Sequence, residues 1–197
     1  MPERPYIVLL TGHPAAGKST LARPLARELG AVCLSKDQVR YRVFDGWKPD
    51  HPAFGRTSEP HVAGASFDED EVVWSTYFWA VSEAVAVVPV VAETAMTRRV
   101  NREDVSRFLR AVGAPAVEVL LRVPLAQLLE RYRARQRSPE AHRIYRTFPR
   151  GTEHRLLSRA YEPLLDEKRV IEVDATDPAT LDVVAIAARV RARLGAP

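Results

Sequence analysis

A glycine-bearing segment near the N-terminus has the composition of a loop that binds phosphate. Residues 12–19 read Gly-His-Pro-Ala-Ala-Gly-Lys-Ser and satisfy the pattern GxxxxGK[ST]. In such a loop the glycines let successive backbone N–H groups face one anion, the lysine reaches the terminal phosphates, and the serine can bind Mg²⁺. The residues predicted to bind phosphate are Gly12, His13, Ala15, Ala16, Gly17, Lys18, Ser19 and Thr20.

The surroundings of this segment support the prediction. An apolar run, Tyr6–Leu10, precedes it, and a helical pattern follows from Lys18 to Glu28. A strand before the loop and a helix after it are the context in which the pattern binds a nucleotide, because the N-terminus of the helix attracts anions. We therefore expect ATP or GTP as the bound nucleotide, together with Mg²⁺ to neutralise its oxygens.

A carboxylate follows the second apolar run, in Ser35-Lys36-Asp37-Gln38-Val39-Arg40. At the carboxyl end of a parallel strand, Asp37 would face the same crevice as the phosphate loop and could take a proton from an attacking hydroxyl. Arg40, one helical turn later, could hold the acceptor. The alternative is that Ser35 or Asp37 only caps the next helix.

The third apolar run ends in Glu93-Thr94. A carboxylate at this place can orient magnesium, which gives Ser19 and Glu93 as the predicted metal residues. The alternative is an ordinary surface carboxylate at the end of a strand.

Four arginines at alternate positions follow Pro124. In a helix, Arg131 and Arg135 form one pair four residues apart, and Arg133 and Arg137 form another on a different face. Either pair could clamp the transferring phosphoryl group. We favour Arg133 and Arg137, because Arg137 is followed by Ser138-Pro139, where the chain can bend. The alternative is a solvated basic face.

Short apolar runs that alternate with amphipathic segments must position these groups. The predicted strands are Tyr6–Leu10, Ala31–Leu34, Val88–Ala92, Val117–Val123 and Arg169–Val173. Helical patterns include a stretch from Asp70 whose aromatic stripe we assign to the core, and the stretches Pro124–Arg137, Gly151–Glu167 and Pro178–Leu194. Such alternation predicts an α/β fold with a buried, mainly parallel sheet.

The length of 197 residues suits one domain, residues 1–197, with a substrate-side insertion at 44–70 and a lid region at 131–150. The chain has 25 arginines and four lysines, which favours phosphate-rich partners, although a GC-rich genome gives the same bias. A single cysteine excludes an internal disulfide, and the histidines show no zinc spacing. With no long apolar span, we expect a cytoplasmic protein.

These motifs together resemble the stand-alone P-loop kinases grouped with polynucleotide 5′-hydroxyl kinases, zeta toxins and chloramphenicol phosphotransferases. The resemblance covers most of the chain except about Gly46–Ser66. It implies a P-loop NTPase fold with a five-strand parallel sheet in the order 2-3-1-4-5, Asp37 as base, an arginine lid, and Val173–Thr176 as the loop near the nucleotide base. Two departures stand out: Glu93-Thr94-Ala95 in place of the family's usual Asp-Thr-Asn, and an insertion with Trp47, His51 and Arg56 as candidate substrate-binding residues. The alternative is that the insertion is only a packed loop.

The expected function is transfer of a phosphate from ATP to a hydroxyl of a small molecule, with antibiotics and nucleoside-like metabolites as candidates. One alternative is a polynucleotide 5′-hydroxyl kinase, which the acidic patch Asp68–Glu71 disfavours because it would repel nucleic acid. The other is a nucleotide-dependent switch or assembly protein without a small acceptor. No membrane partner is expected.

Overall fold

The computed structural model describes residues 4–40, 69–94, 102–137, 158 and 161–195. Its strands are β1 (Ile7–Gly12), β2 (Val32–Ser35), β3 (Val90–Glu93), β4 (Ala116–Arg122) and β5 (Val170–Asp174). Its helices are α1 (Lys18–Leu29), α2 (Lys36–Arg40), α3 (Glu69–Val85), α4 (Arg102–Val112), α5 (Leu125–Arg137) and α6 (Val183–Gly195). The five predicted strands are thus confirmed, each to within two residues.

The five strands form one parallel sheet in the order β2-β3-β1-β4-β5, which confirms the predicted P-loop NTPase topology. Parallel strands buried on both faces need near-continuous apolar sequence, and the burial of all six residues of β1 reflects this. In register, Glu93 at the end of β3 pairs with Leu10 on one side and Ser35 on the other. The ends of β1, β2 and β3 therefore meet at one edge.

Each face of the sheet carries its own apolar core. Helices α1 and α6 cover one face, where alternate β4 residues such as Val119 and Leu121 are buried. Helices α3 and α4 cover the other face, where Leu120 of β4 and the aromatic side chains Trp74 and Tyr77 of α3 are buried. The aromatic stripe of α3 is thus core packing, as predicted.

The largest departure from the sequence prediction lies before β5. We predicted a helix at Gly151–Glu167, yet Tyr161–Asp166 is not helical, and Glu167–Arg169 is only one 3₁₀ turn. Two of the backbone N–H groups that a helix would use, those of Leu164 and Leu165, donate instead to the carboxylate of Glu118. The predicted helix at Pro178–Leu194 likewise divides into a 3₁₀ turn and α6, and α4 was not specified from the sequence.

Several predicted features lie outside the described residues. These are most of the 44–70 insertion, including Trp47, His51 and Arg56, and the 138–150 part of the lid region. The backbone of α3 begins at Glu69, within the predicted bounds of the insertion. Over the described ranges, none of the helices has the length and apolar character needed to cross a membrane.

Candidate active site

The phosphate loop has backbone conformations that explain its glycines. Gly12 has a φ of 135°, and a Cβ there would lie 2.8 Å from the carbonyl oxygen of Leu121 in β4. Gly17 has a φ of 92° directly before α1, and Ala15 has a φ of 66°. Positive φ is strained for residues that bear a side chain. The sequence therefore folds here into a tight turn that leads into a helix N-terminus.

Lys18 lies inside this turn. Its side chain is buried, and its ammonium donates to the backbone oxygens of Gly12 at 3.1 Å and His13 at 2.8 Å. Burial lowers the pKa of Lys18 to about 8, and the carboxylates of Glu93 and Asp37 act in the opposite direction. A desolvated cation surrounded by carbonyl oxygens is well placed to bind phosphate oxygens, because these are stronger acceptors.

The lowered pKa of Lys18 predicts a pH dependence. Lys18 loses its proton as the pH rises through about 8, so affinity for a nucleoside triphosphate should weaken above that value. The stability of the nucleotide-free fold should change in the opposite sense, rising with pH between about 8 and the unfolded value of 10.5, because the unfolded chain binds more protons there. Calorimetric titration with ATP across this range measures the first effect, and Lys18→Met is the control, whose affinity should lack this dependence.

Ser19 and Glu93, the two residues predicted to bind a metal, lie in contact. The Ser19 hydroxyl donates to Oε1 of Glu93 at 3.2 Å, and Glu93 is buried. The backbone oxygen of Glu93 also accepts from the Tyr77 hydroxyl at 3.2 Å, which fixes the end of β3. A hydroxyl beside a carboxylate is a donor set that suits Mg²⁺. The described ranges hold no group of three or more His, Cys, Asp or Glu side chains placed for a metal.

Asp37 lies in the first turn of α2, near Lys18. Its side chain is 33% exposed, and its carboxylate is 3.4 Å from the ammonium of Lys36. Lys36 is itself buried and lies 5.1 Å from the ring centroid of Trp74. Asp37 thus lies inside the helix and is partly exposed, whereas Ser35 directly precedes the helix, where a capping residue lies. Only the backbone of Arg40, the last residue of α2, is described.

The arginines of α5 separate into different environments. Arg133, which we favoured, is exposed, whereas Arg135 is half-buried and interacts electrostatically with Asp37 and Glu93. Burial lowers the pKa of Arg135, and these two carboxylates oppose that shift. Arg131 donates to the backbone oxygens of Ala175 and Thr176, at 3.1 and 2.7 Å, and so holds the loop after β5. For Arg137, only the backbone is described.

Sequence reasoning did not select three residues that shape this edge of the sheet. Lys36 stood beside the predicted base in the sequence, but nothing there indicated that it would be buried. Tyr77 was assigned to the core stripe, and its hydrogen bond to Glu93 depends on how α3 packs on β3. Glu118 lies within an apolar run, where a lone carboxylate was the only signal.

Comparison with known proteins agrees with this geometry. The family described as AAA domain matches residues 7–147, more than half of the chain. No curated protein matches the sequence significantly. A proposed kinase from Chloroflexus aurantiacus has a similar structure, with a TM-score of 0.75 and 21% identity over 98% of this chain and 100% of that one.

Two further solved structures share the fold. Kti12 of Chaetomium thermophilum, in complex with ADP-AlF3, has a TM-score of 0.64 and 15% identity, covering 96% of this chain and 100% of its own. The APS kinase of Mycobacterium tuberculosis, in complex with AMPPNP and APS, has a TM-score of 0.60 and 16% identity, covering 99% and 100%. The chain therefore belongs to the AAA domain family, and its resemblance to the stand-alone P-loop kinases is confirmed.

Proposed function

We propose that this protein is a kinase that transfers the γ-phosphate of ATP or GTP to a hydroxyl group of a small molecule. The observation that carries the proposal is the position of Asp37, an accessible carboxylate within electrostatic reach of Lys18 and Arg135. A protein that used the nucleotide only as a switch would have no need of an accessible carboxylate there. The structures that share the fold include a kinase solved with a nucleotide and APS.

In this proposal Asp37 accepts the proton of the acceptor hydroxyl as its oxygen attacks the γ-phosphorus. A new oxygen–phosphorus bond forms, the bond from the γ-phosphorus to the β,γ-bridging oxygen breaks, and a nucleoside diphosphate leaves. Lys18 and Arg135 stabilise the charge on the phosphoryl oxygens, which is the main contribution a protein makes to this reaction. The backbone N–H groups of the loop hold the phosphates in line with the acceptor.

Ser19 and Glu93 would hold magnesium on the evidence of their 3.2 Å contact. When bound, Mg²⁺ would neutralise phosphate oxygens. Glu93 is a longer side chain than aspartate, so its carboxylate reaches the Ser19 hydroxyl directly, and the Tyr77 hydroxyl keeps its backbone in place. The residues present thus fit the ion that the fold implies.

We propose a small molecule as acceptor, with antibiotics and nucleoside-like metabolites first among the classes to test. Asp37 is partly exposed and its carboxylate lies 3.4 Å from the ammonium of Lys36, so the described side of the acceptor site is polar and carries both signs of charge. Such a mixture suits a compact polar ligand. The aromatic and histidine residues predicted for the insertion would supply further specificity.

A transfer screen tests this function. The protein would be incubated with Mg²⁺ and γ-labelled ATP, and separately with GTP, against panels of small alcohols and sugars, nucleosides, hydroxyl-bearing antibiotics, and 5′-hydroxyl oligonucleotides. The proposal predicts a phosphate ester in one of the small-molecule panels. Ester formation on oligonucleotides alone would show a polynucleotide kinase instead, and nucleotide binding without transfer to any panel would favour a switch.

The environments of the arginines predict unequal effects. Arg135→Ala should lower kcat about tenfold to a hundredfold while changing ATP affinity less, because the guanidinium acts on charge that develops during transfer. Arg133→Ala is the matched control, since it removes the same side chain from an exposed position of the same helix. Steady-state kinetics on both variants measure the difference. Equal, small effects on kcat would show that the arginines of α5 only form a solvated basic face. A larger effect at Arg133 would support Arg133 and Arg137, the pair favoured from the sequence.

A further inference from the structure

The segment Tyr161–Leu165 is held against the sheet by two side chains of β4. At its start, the guanidinium of Arg122 donates to the backbone oxygen of Tyr161 at 2.7 Å. At its end, Oε2 of Glu118 accepts from the backbone N–H groups of Leu164 at 2.7 Å and Leu165 at 3.0 Å. Since both attachments are to the backbone, they fix the path of this segment whatever its side chains do.

Glu118 also reaches the strand that leads into the phosphate loop. It is fully buried, and its Oε1 accepts from the hydroxyl of Thr11, the residue before Gly12, at 2.5 Å. Burial raises the pKa of Glu118, and the hydrogen bonds from Thr11, Leu165 and Leu164 oppose the shift. A buried carboxyl group is unfavourable unless it is hydrogen-bonded, and an apolar side chain could have filled the space. What Glu118 adds is the connection between the segment and β1.

The first residue of the segment touches the phosphate loop itself. The rings of Tyr161 and His13 meet edge to face, with centroids 5.3 Å apart and planes at 73°. His13 directly follows Gly12 in the loop, and its backbone oxygen accepts from the Lys18 ammonium. Tyr161 is half-buried and packs against the core on the α3 side of the sheet. Aromatic pairs in this arrangement attract beyond their buried area.

We propose that Tyr161, held by Glu118 and Arg122, is a positioning residue that acts through His13 to keep the phosphate loop in the conformation that binds a nucleoside triphosphate. The inference rests on the nucleotide binding of the proposed function and is independent of the acceptor. A loop that samples other conformations binds its ligand more weakly, in proportion to the fraction that is competent. Loss of the Tyr161 ring should therefore reduce nucleotide affinity in a protein that still folds.

Calorimetric titration with ATP and Mg²⁺, combined with thermal unfolding, separates positioning from packing. Tyr161→Ala should weaken ATP binding about two- to tenfold, the range expected for losing one aromatic pair, while Tyr161→Phe keeps the ring and should bind as wild type does. Phe108→Ala is the matched control, because Phe108 is also a partly buried aromatic packed against the same core, on α4. It should lower the unfolding temperature without changing ATP affinity.

Two variants of Glu118 test the attachment. Glu118→Ala leaves two buried N–H groups and a hydroxyl without a partner, and should reduce both stability and ATP affinity. Glu118→Gln can accept from the two N–H groups through its oxygen and donate to Thr11 through its nitrogen, and should retain affinity. If Glu118→Ala does not fold, the ATP affinities of Tyr161→Ala and Phe108→Ala still test the inference. Wild-type ATP affinity in Tyr161→Ala would overturn the inference, whereas a wild-type protein that binds no nucleotide would overturn the proposed function.

Discussion

Lys18→Met should lower kcat for phosphoryl transfer by about a hundredfold or more, because it removes a cation that stabilises charge on the phosphoryl oxygens. Methionine is the suitable replacement, since Lys18 is buried and alanine would leave a gap in the turn. The fold should persist, because the cost of burying the Lys18 charge disappears with it and Arg135 still interacts with the buried carboxylate of Glu93.

The measurement is initial-rate transfer together with thermal unfolding of the same preparations. Arg27→Met is a control for the loss of one positive charge, since Arg27 is exposed and lies in the last turn of the same helix, at the end away from the loop. Its rate should match wild type. A folded Lys18→Met protein with near-normal turnover would contradict the assignment of residues 12–19 as the phosphate site.

Asp37→Asn should abolish most of the transfer while leaving nucleotide affinity nearly intact. Asparagine keeps the shape of the side chain but cannot take a proton from the acceptor, so a loss of about a hundredfold to ten-thousandfold in kcat is expected. Nucleotide binding should persist because the loop backbone and Lys18 make the phosphate contacts in this account.

Two titrations decide the role of Asp37: ATP binding by calorimetry, and transfer rate against acceptor concentration. Asp104→Asn, in the first turn of α4 and 34% exposed, is a control for the loss of one carboxylate and should behave as wild type. If Asp37→Asn instead lost ATP affinity and kept its turnover, the carboxylate would serve the metal or the scaffold.

Much of the fold could be predicted because the strands are short apolar runs bounded by polar residues. Examples are Val90–Glu93 and Ala116–Arg122, which are buried on both faces. Such strands can be identified from their own apolar sequence, without knowing which strands lie beside them. The phosphate loop was also predictable, since the conformations of Gly12 and Gly17 follow from local sequence alone. The sheet order was taken from the resemblance and is confirmed by the pairing of β1 with β3 and β4.

Features that depend on contacts between distant segments were not predictable. The segment at Tyr161 contains a helical pattern, but the carboxylate of Glu118, more than forty residues earlier, takes its N–H groups. The arginine pairs of α5 are equivalent by spacing, and only the packing of the helix buries Arg135 rather than Arg133. Likewise, Lys36 is buried where its ammonium lies over the ring of Trp74, a residue of α3.

Transfer of phosphate to a small-molecule hydroxyl fixes the stoichiometry of the reaction, which can be measured. With the acceptor found in the transfer screen and ATP labelled with oxygen-18 in its γ-phosphate, mass spectrometry would count labelled ester and ADP together. The wild-type protein should give one labelled ester for each ADP, and Asp37→Asn should give almost no ester. Release of ADP and labelled inorganic phosphate at the same rate with and without the acceptor would contradict it.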